Sequence, residues 1–477
     1  MSSKKQIFIS NTLWCSLERF STVGIQLIST FVLARFLSPS DFGIIGLLSV
    51  FIAVSNTLID SGFGQSIIRV NKLTEEDCSS ILYVNTAISV LLYAVAYYCS
   101  DYIACFYGVS LISATAKIAF IVLIINSFGI IQYNIILRSL NYKKMCIISV
   151  VASVTAAMIA AVFAYLWKNV WALVFQMLLA STIKTILLWL TSSFRPKACF
   201  SIQSIKNHFA FSKNILIAGL IGNLFNNLYT LVLGKAYDVT ELGYFSQAEK
   251  IKNAATHNTS SVIQSVSYPL LCKMNNFGEN VKQAYRKIIL MSTIVVGSIM
   301  VVLVGCACDL FEILMGCAWR KSGYFLMVLG LNGILFPLHL INQNILMVKG
   351  DSRTLLLLEV LRRIIMVVII IGTIHYDVYV FAAGMSLYSL VLVVPNMYIC
   401  GSAINYGLTE QLRDFFPLFF KLIAVALIVG TLSAYITCPP VVNVIILSTI
   451  SLVLLYLLFR RNSLCMELRE MIISKIR

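Results

Sequence analysis

Charged residues are scarce in this chain, at 12% of its 477 residues. Soluble globular proteins carry about 25%, so half of the usual water-facing side chains are missing. Apolar runs of about 18 or more residues recur from end to end, and each can cross ~30 Å of hydrocarbon. These runs are much longer than the ~10-residue strands of a membrane barrel. The sequence therefore predicts a polytopic membrane protein whose spans are helices.

Recognisable cofactor and metal motifs are also absent from the sequence. It contains no phosphate-binding GxxxxGK[ST] loop and no CxxC pair, and its 13 cysteines are scattered. Such cysteines are typical of small apolar packing residues. The net charge of +16 is dispersed among loops, which is unlike a nucleic-acid-binding face. We expect no cofactor, no metal and no nucleic-acid partner.

The apolar runs predict an all-α fold with about fourteen transmembrane helices. Their approximate positions are 11–37, 42–68, 79–107, 113–137, 145–166, 169–190, 211–236, 243–270, 286–311, 322–347, 354–375, 377–400, 415–437 and 440–460.

The orientation of these spans follows from the distribution of basic residues. Most of the 36 Lys and Arg residues fall in one set of loops and termini, and such loops are cytoplasmic under the positive-inside rule. Both termini are therefore predicted to be cytoplasmic. The start "MSSKKQIFIS" lacks a small-residue cleavage site, so we interpret the first span as retained.

One short segment occurs twice, 200 residues apart. "FVLARFLSPSDFGIIG" (31–46) aligns without a gap with "LVLGKAYDVTELGYFS" (231–246). We interpret both segments as structural turns in which opposite charges can tie one helix end to the next; interfacial anchoring is the alternative. The matched turn residues are Arg35 with Lys235, Asp41 with Glu241 and Gly43 with Gly243.

A second repeat extends this pattern to the whole chain. "NIILRSLNYKK" (134–144) is echoed by "NILMVKGDSRT" (344–354). We predict two pseudo-symmetric six-helix bundles, related by an axis along the membrane normal, plus two C-terminal helices. The predicted divisions are an N-terminal lobe at 1–190, a cytoplasmic linker at 191–213, a C-terminal lobe at 214–403, and two further helices with a cytoplasmic tail at 404–477.

Polar residues recur inside the predicted spans, where a charge costs ~2.5–3.5 kcal/mol on insertion scales. Span 8 is the most polar, and its residues from Glu249 to Gln264 are spaced along one helical stripe. Amide-rich stripes in equivalent spans suit a hydrated cavity that hydrogen-bonds a sugar; interhelical hydrogen bonding is the alternative. The candidate sugar contacts are Asn223, Asn226, Asn227 and Asn253.

Positive charge is in excess in two of these spans. Glu359 can pair with Arg362 at i+3 or Arg363 at i+4, and Glu249 stands beside Lys250 and Lys252. Surplus guanidinium and ammonium groups in a cavity would attract phosphate. Paired structural charge near the cytoplasmic interface is the competing account.

Several segments of the first half of the sequence resemble a known family. The segment "FVLARFLSPSDFGIIGLLSVFIAVSNTLIDSGFGQSIIR" (31–69), with "LTEED" (73–77), "FYG" (106–108) and "ILRSLNYKK" (136–144), is similar to the Wzx-type polysaccharide transporters, and more closely to their colanic-acid-exporter branch. The resemblance covers about 10–400. Its second half departs from the family pattern, because "LGYFSQAEKI" (242–251) stands where LGYYSRAY is typical, which puts a basic contact there in doubt.

The resemblance implies a flippase of the multidrug/oligosaccharidyl-lipid/polysaccharide exporter superfamily. Such a protein would move an undecaprenyl-pyrophosphate-linked oligosaccharide between leaflets of the bacterial inner membrane, by alternating access and with H⁺ or Na⁺ as possible coupling ions. On this view Asp60, Glu18 and Glu249 are candidate ion-coupling residues, and Gly62 and Gly64 let span 2 bend. Two alternatives stay open: a small-molecule antiporter of the same superfamily, and a membrane polysaccharide polymerase or ligase, which the short loops disfavour.

Overall fold

Helices account for nearly all of the backbone that the computed structural model describes, which covers residues 2–70, 72–276, 281–436 and 438–460. In chain order the helices are α1 Ser2–Ala34, α2 Pro39–Asp60, α3 Phe63–Arg69, α4 Glu75–Tyr107, α5 Leu111–Ala119, α6 Ile121–Arg138, α7 Tyr142–Trp167, α8 Trp171–Thr191, α9 Ile202–Asn226, α10 Leu228–Ala236, α11 Val239–Asn276, α12 Val281–Gly305, α13 Ala307–Met315, α14 Arg320–Lys349, α15 Ser352–Thr373, α16 Val378–Ser402, α17 Leu408–Tyr435 and α18 Pro440–Phe459.

The predicted all-α membrane fold is confirmed, although the count of fourteen spans is not. Eleven helices in the described ranges are long and apolar enough to cross a membrane. The three predicted spans outside this set correspond to α1, α11 and α15. All three carry charged residues that we singled out, and α15 has three of them, Glu359, Arg362 and Arg363, within one apolar stretch. The exact number of spans stays a prediction.

Local sequence signals set the ends of several helices. Ser38 and Asp41 form a reciprocal capping box at the start of α2, and Thr74 and Asp77 form another at the start of α4. Each box satisfies two of the backbone N–H groups that a helix start leaves unpaired. Gly108, with φ +72°, ends α4 in the left-handed conformation that glycine adopts without strain.

Several predicted spans are interrupted helices. The second predicted span divides into α2 and α3 at Ser61 and Gly62, both of which have positive φ. Within the predicted linker, residues 192–201 lie outside a helix and α9 begins at Ile202, so the linker at 191–213 stays a prediction. Within the described chain 192–201 is the longest non-helical stretch.

The chain forms two compact units, Met1–Ser246 and Gln247–Arg477, and the boundary falls within α11. In the first unit α7 packs against α1 and α8, α6 packs against α4 and α8, and α2 packs against α9. In the second unit α14 packs against α12 and α16, and α12 packs against α17. These units do not test pseudo-symmetry, so the division into six-helix lobes stays a prediction.

The two copies of the repeated segment lie against each other in the first unit. A Cβ added to Gly43 would be 1.8 Å from the backbone oxygen of Val239, and one added to Gly243 would be 1.9 Å from that of Pro39. Pro39 and Val239 are the first residues of α2 and α11. Each glycine therefore lets its helix start approach the other helix start, backbone to backbone.

Candidate functional site

A polar cavity of about 530 Å³ lies among the membrane helices of the first unit. Its volume is within the range of ≈ 300–1,000 Å³ that is usual for small-molecule sites. Its walls come from α2, α3, α6 and α8. The polar lining residues are Asn56, Asp60, Gln65, Asn126, Tyr133, Asn134, Ser181, Lys184 and Thr185.

The break between α2 and α3 positions one wall of this cavity. Oδ1 of Asp60 accepts a hydrogen bond from the backbone N–H of Gly64 at 3.1 Å, which ties the end of α2 to the first turn of α3. A Cβ on Gly64 would lie within about 3.0 Å of the Asn134 amide and of Asp60. Gly64 is therefore required here for close packing, while Gly62, with φ +71°, supplies the backbone conformation of the break.

Two amides meet across the cavity. Nδ2 of Asn126 donates a hydrogen bond to Oδ1 of Asn56 at 3.3 Å, which joins α6 to α2. Nδ2 of Asn134 donates to the carbonyl oxygen of Ile130 on its own helix, at 2.9 Å. Each amide has further donor and acceptor sites, so these walls can also hydrogen-bond a ligand.

Lys184 brings a positive charge to the same cavity from α8. Its Nζ lies 5.1 Å from the centre of the Tyr133 ring, which is a cation–π distance. Glu18 of α1 acts on this ammonium electrostatically, but no described carboxylate forms a salt bridge with it. A lysine inside a membrane helix usually faces a bundle interior or a hydrated cavity and is often functional.

An apolar groove of about 350 Å³ adjoins this cavity on the α6 and α8 side. It is lined by Ile125, Phe128, Thr182, Thr185, Ile186, Trp189 and Leu190. Thr185 belongs to both hollows. A polar cavity and an apolar groove therefore lie side by side in one set of helices, an arrangement that fits an amphiphilic ligand.

The second unit contains a cluster of charged and polar side chains, the Glu359 cluster, made of Glu359, Arg362, Arg363, Gln343 and Asn396. The carboxylate of Glu359 accepts hydrogen bonds from Nη1 of Arg362 at 2.8 Å and from Nε2 of Gln343 at 2.5 Å. Nη2 of Arg363 lies 3.5 Å from the same carboxylate. Both predicted pairings are confirmed, and one positive charge remains in surplus.

Arg362 is the most enclosed charged residue of the Glu359 cluster, with 8% of its surface exposed. Its Nη2 donates to Oδ1 of Asn396 at 2.9 Å, and Nδ2 of Asn396 lies 2.6 Å from Nδ1 of His339. This chain of contacts joins α15 to α16 and α14. Truncating one partner of such a buried pair costs about 3–5 kcal/mol, so the cluster also stabilises the second unit.

The basic residues of α11 differ in their burial. Lys252 is 3% exposed, and its Nζ lies 3.1 Å from Oδ1 of Asn332 and 3.8 Å from Glu249. Lys250 is half-buried. Within the predicted polar stripe of α11, Thr256 and Ser260 are buried whereas Asn253 and His257 are exposed. The role of this stripe as a cavity wall stays a prediction.

The other predicted site residues lie outside the cavity. Nδ2 of Asn223 donates to Oγ1 of Thr57 at 2.6 Å, and Nδ2 of Asn227 donates to the carbonyl oxygen of Asn223 at 2.8 Å. Asn226 is exposed. Glu18 accepts a hydrogen bond from Ser149 at 2.7 Å. These positions neither support nor contradict a role in sugar binding or ion coupling.

The predicted turn residues have local roles. The carboxylate of Asp41 accepts from the Ser38 N–H at 2.9 Å, and Nζ of Lys235 donates to the carbonyl oxygen of Phe106 at 2.5 Å. Arg35 is exposed and Glu241 is half-buried. A charge tie between successive helix ends stays a prediction.

Sequence reasoning missed the residue that gives the cavity its positive charge. Lys184 was one of several basic residues inside predicted spans, and nothing in the sequence paired it with Asp60 or Asn126. The available signal was a single charged residue, this lysine, in the predominantly apolar "LVFQMLLASTIKTILLWL" (173–190). The described residues contain no group of His, Cys, Asp and Glu that would hold a metal, and the twelve described cysteines are unpaired.

Residues 32–323, more than half of the chain, match the family described as "Polysaccharide biosynthesis protein". The chain belongs to this family. Among its relatives, the teichuronic acid biosynthesis protein TuaB of Bacillus subtilis (strain 168) is 22% identical over 74% of this chain and 73% of its own length. The succinoglycan biosynthesis transport protein ExoT of Rhizobium meliloti (strain 1021) is 22% identical, over 69% of this chain and 66% of its own length.

A third relative supports the predicted branch of this polysaccharide biosynthesis family. The lipopolysaccharide biosynthesis protein WzxC of Escherichia coli (strain K12) is 20% identical over 60% of this chain and 59% of its own length. The chain thus spans less than two thirds of the length of some of these relatives. The Wzx-like resemblance seen in the sequence is confirmed.

Solved structures place this family member in a known transporter fold. The lipid II flippase MurJ in an inward closed conformation superposes with a TM-score of 0.70, at 12% identity, over 94% of this chain and 99% of MurJ. An inward-facing MATE family multidrug resistance transporter of the MOP superfamily gives 0.61, at 15% identity, over 83% of this chain and 95% of its own. At such identities the likeness shows the fold alone. The chain is a multi-pass membrane protein with a MurJ- and MATE-like fold.

Proposed function

We propose that this protein is a flippase that moves a polyprenyl-pyrophosphate-linked oligosaccharide from the inner to the outer leaflet of a bacterial inner membrane for surface polysaccharide assembly. The observation that carries the proposal is the polar cavity and apolar groove that share Thr185. A lipid-linked saccharide has both chemistries in one molecule. Membership of a polysaccharide biosynthesis family supports the same class of substrate.

The pyrophosphate would be bound by the basic residues of α11 and α15. Arg363 and Lys250 are half-buried, so we assign them the direct contact, Arg363 through bidentate hydrogen bonds and Lys250 as a point charge. Arg362 and Lys252 are buried and already bonded to Asn396 and Asn332. The charges of Arg362 and Lys252 would keep the electrostatic potential around the site positive. Asn223, Asn226, Asn227 and Asn253 remain proposed contacts to the sugar.

Transport would follow an alternating-access cycle in which the lipid tail stays in the bilayer. Gly62 supplies a break between α2 and α3, where the helix can bend as the protein changes conformation. Both termini are proposed to be cytoplasmic, from the bias of the basic loops. If a H⁺ or Na⁺ gradient drives the cycle, Asp60, Glu18 and Glu249 are the carboxylates that would bind the ion.

We infer a transporter and not an enzyme. Known membrane polymerases of polysaccharides are expected to work through large loops, whereas the longest non-helical stretch of the described chain is 192–201. The relatives named above include a transport protein. These observations support transport without chemistry on the glycan.

The test uses proteoliposomes that contain the purified protein and a fluorescent polyprenyl-pyrophosphate oligosaccharide. Quenching from outside reports how fast the headgroup changes leaflet, with and without a pH or sodium gradient. We expect protein-dependent exchange, and at least a tenfold loss of rate in Arg363→Gln. The matched control is Arg353→Gln, because Arg353 is an exposed arginine near the start of the same helix.

Two results would overturn this assignment. Absence of exchange with folded protein and a cognate glycan would refute the flippase, and efflux of small cationic dyes by the same vesicles would favour the antiporter. Equal rates in wild type, Arg363→Gln and Arg353→Gln would remove the proposed pyrophosphate site while leaving the flippase intact.

A further inference from the structure

Lys184 is a basic residue of the first unit that forms no salt bridge with a described residue. An ammonium group in a membrane helix is costly unless it is paired or hydrated. Its Nζ lies 5.1 Å from the centre of the Tyr133 ring, and Glu18 of α1 acts on it electrostatically without making a salt bridge. Lys184 also lines the cavity of about 530 Å³. Its ammonium is therefore placed to bind an anionic group of a ligand in that cavity.

The remaining walls indicate what else that ligand carries. Amides, hydroxyls and the Asp60 carboxylate surround the cavity, and these groups both donate and accept hydrogen bonds. A compact inorganic anion would satisfy Lys184 and leave most of these groups without a partner. A polyhydroxylated ligand with one anionic group would satisfy both.

We propose that this cavity is a saccharide subsite in which Lys184 binds the carboxylate of an acidic sugar, while Asn56, Asn126 and Asp60 bind hydroxyl groups of the same glycan. The inference rests on the proposed function and specifies its substrate class as a lipid-linked glycan that contains an acidic sugar. The groove that shares Thr185 leaves room for apolar chain beside the glycan. The proposed pyrophosphate contacts, Arg363 and Lys250, are separate residues of other helices.

The carrier pyrophosphate is the other anion that such a lipid offers, and geometry separates the two. Pyrophosphate needs several donors at close range, typically an arginine fork or clustered backbone N–H groups. Among its described lining residues the cavity offers one lysine, Lys184, and one carboxylate, Asp60, so a single ammonium is available and cannot neutralise a multiply charged group. One ammonium among amides and hydroxyls matches a single carboxylate on a sugar.

The experiment measures binding of soluble probes to the purified full-length chain in phosphatidylcholine nanodiscs, by saturation-transfer NMR titration. The probes are cellobiouronic acid, its neutral counterpart cellobiose, and inorganic pyrophosphate. We expect wild type to bind the acidic disaccharide at least about tenfold more tightly than cellobiose, because a charge-assisted hydrogen bond is about twice as strong as a neutral one. Lys184→Met should abolish this preference, and Lys184→Arg should retain most of it.

Two further variants keep the result interpretable. Lys421→Met is the matched control, because Lys421 is an exposed lysine of α17 outside the cavity, and it should bind as wild type does. Ser181→Phe fills the cavity without removing a charge, and it should weaken binding of both disaccharides. This second variant tests the same site even if Lys184→Met fails to fold.

The outcomes separate this inference from the flippase proposal, since binding is read without transport. Equal affinity of wild type for both disaccharides, or an acidic preference that survives both Lys184→Met and Ser181→Phe, would refute the subsite. Loss of pyrophosphate binding alone in Lys184→Met would assign the cavity to the carrier and also refute it. A confirmed preference in a protein that does not flip lipid would leave the subsite standing and remove the flippase.

Discussion

The two units of this protein differ in how the charged side chains inside their membrane helices are paired. In the second unit Glu359 forms ion pairs with Arg362 and Arg363 and accepts a hydrogen bond from Gln343. Arg362 also donates to Asn396, which in turn contacts His339. In the first unit Lys184 and Asp60 line one cavity, and the ammonium of Lys184 contacts the Tyr133 ring and feels the charge of Glu18 but forms no salt bridge with a described residue. The comparison suggests that charge in the second unit is partly structural, whereas charge in the first unit is available to a ligand.

Removal of the Glu359 carboxylate, which accepts hydrogen bonds from both Arg362 and Gln343, should produce the largest loss of stability. Glu359→Ala leaves Arg362 buried without its carboxylate and removes the partner of Gln343, so we expect a loss of about 3–5 kcal/mol in stability. Thermal unfolding in nanodiscs measures it. The control is Glu410→Ala, which breaks the partly exposed pair with Lys282 in the same unit and should cost about 1 kcal/mol or less. Equal losses would show that the Glu359 cluster is not structural.

Replacement of both Glu359 and Arg362 should cost much less stability than replacement of Glu359 alone. Glu359→Leu combined with Arg362→Met removes the pair together, and apolar replacements of a buried ion pair are often neutral or stabilising. We expect the double variant to recover at least about 2 kcal/mol relative to Glu359→Leu alone. Strict additivity of the two single effects would contradict direct coupling.

In the first unit, removal of charge should not destabilise the protein. Lys184→Met deletes an ammonium that forms no salt bridge with a described residue and interacts with Glu18 only electrostatically, and an apolar side chain costs less free energy in a membrane helix. We expect unfolding stability that is unchanged or raised by about 1 kcal/mol, in the same nanodisc assay. A loss as large as that of Glu359→Ala would erase the contrast between the units.

The smallest effect is expected at the amide pair of the cavity. Asn56→Ala removes the 3.3 Å hydrogen bond from Asn126, and interhelical hydrogen bonds in membranes contribute about 0.6 kcal/mol on average. Thr57→Val is a neighbouring control, because it removes the 2.6 Å bond from Asn223 instead. A loss above about 2 kcal/mol for Asn56→Ala would mark Asn56 as a structural residue and not a wall of an open cavity.

Sequence patterns predicted the fold well and the cavity poorly, for physical reasons. Hydropathy reports helix length and composition, so the membrane helices and their approximate ends were predictable. The i+3 and i+4 spacing of Glu359, Arg362 and Arg363 also predicted their pairing, because neighbours on one helix turn are fixed by geometry. The cavity joins Asp60, Asn126 and Lys184 from three helices, and no local spacing reports a meeting of distant segments.

The reciprocal contact of Gly43 and Gly243 also has a consequence for substitution. In the first unit each glycine faces the backbone at the other helix start, so a side chain at either position would strike the other helix. A change at one glycine therefore cannot be accommodated within its own helix alone. The two helix starts must move apart together, which couples residues that lie 200 positions apart in the sequence.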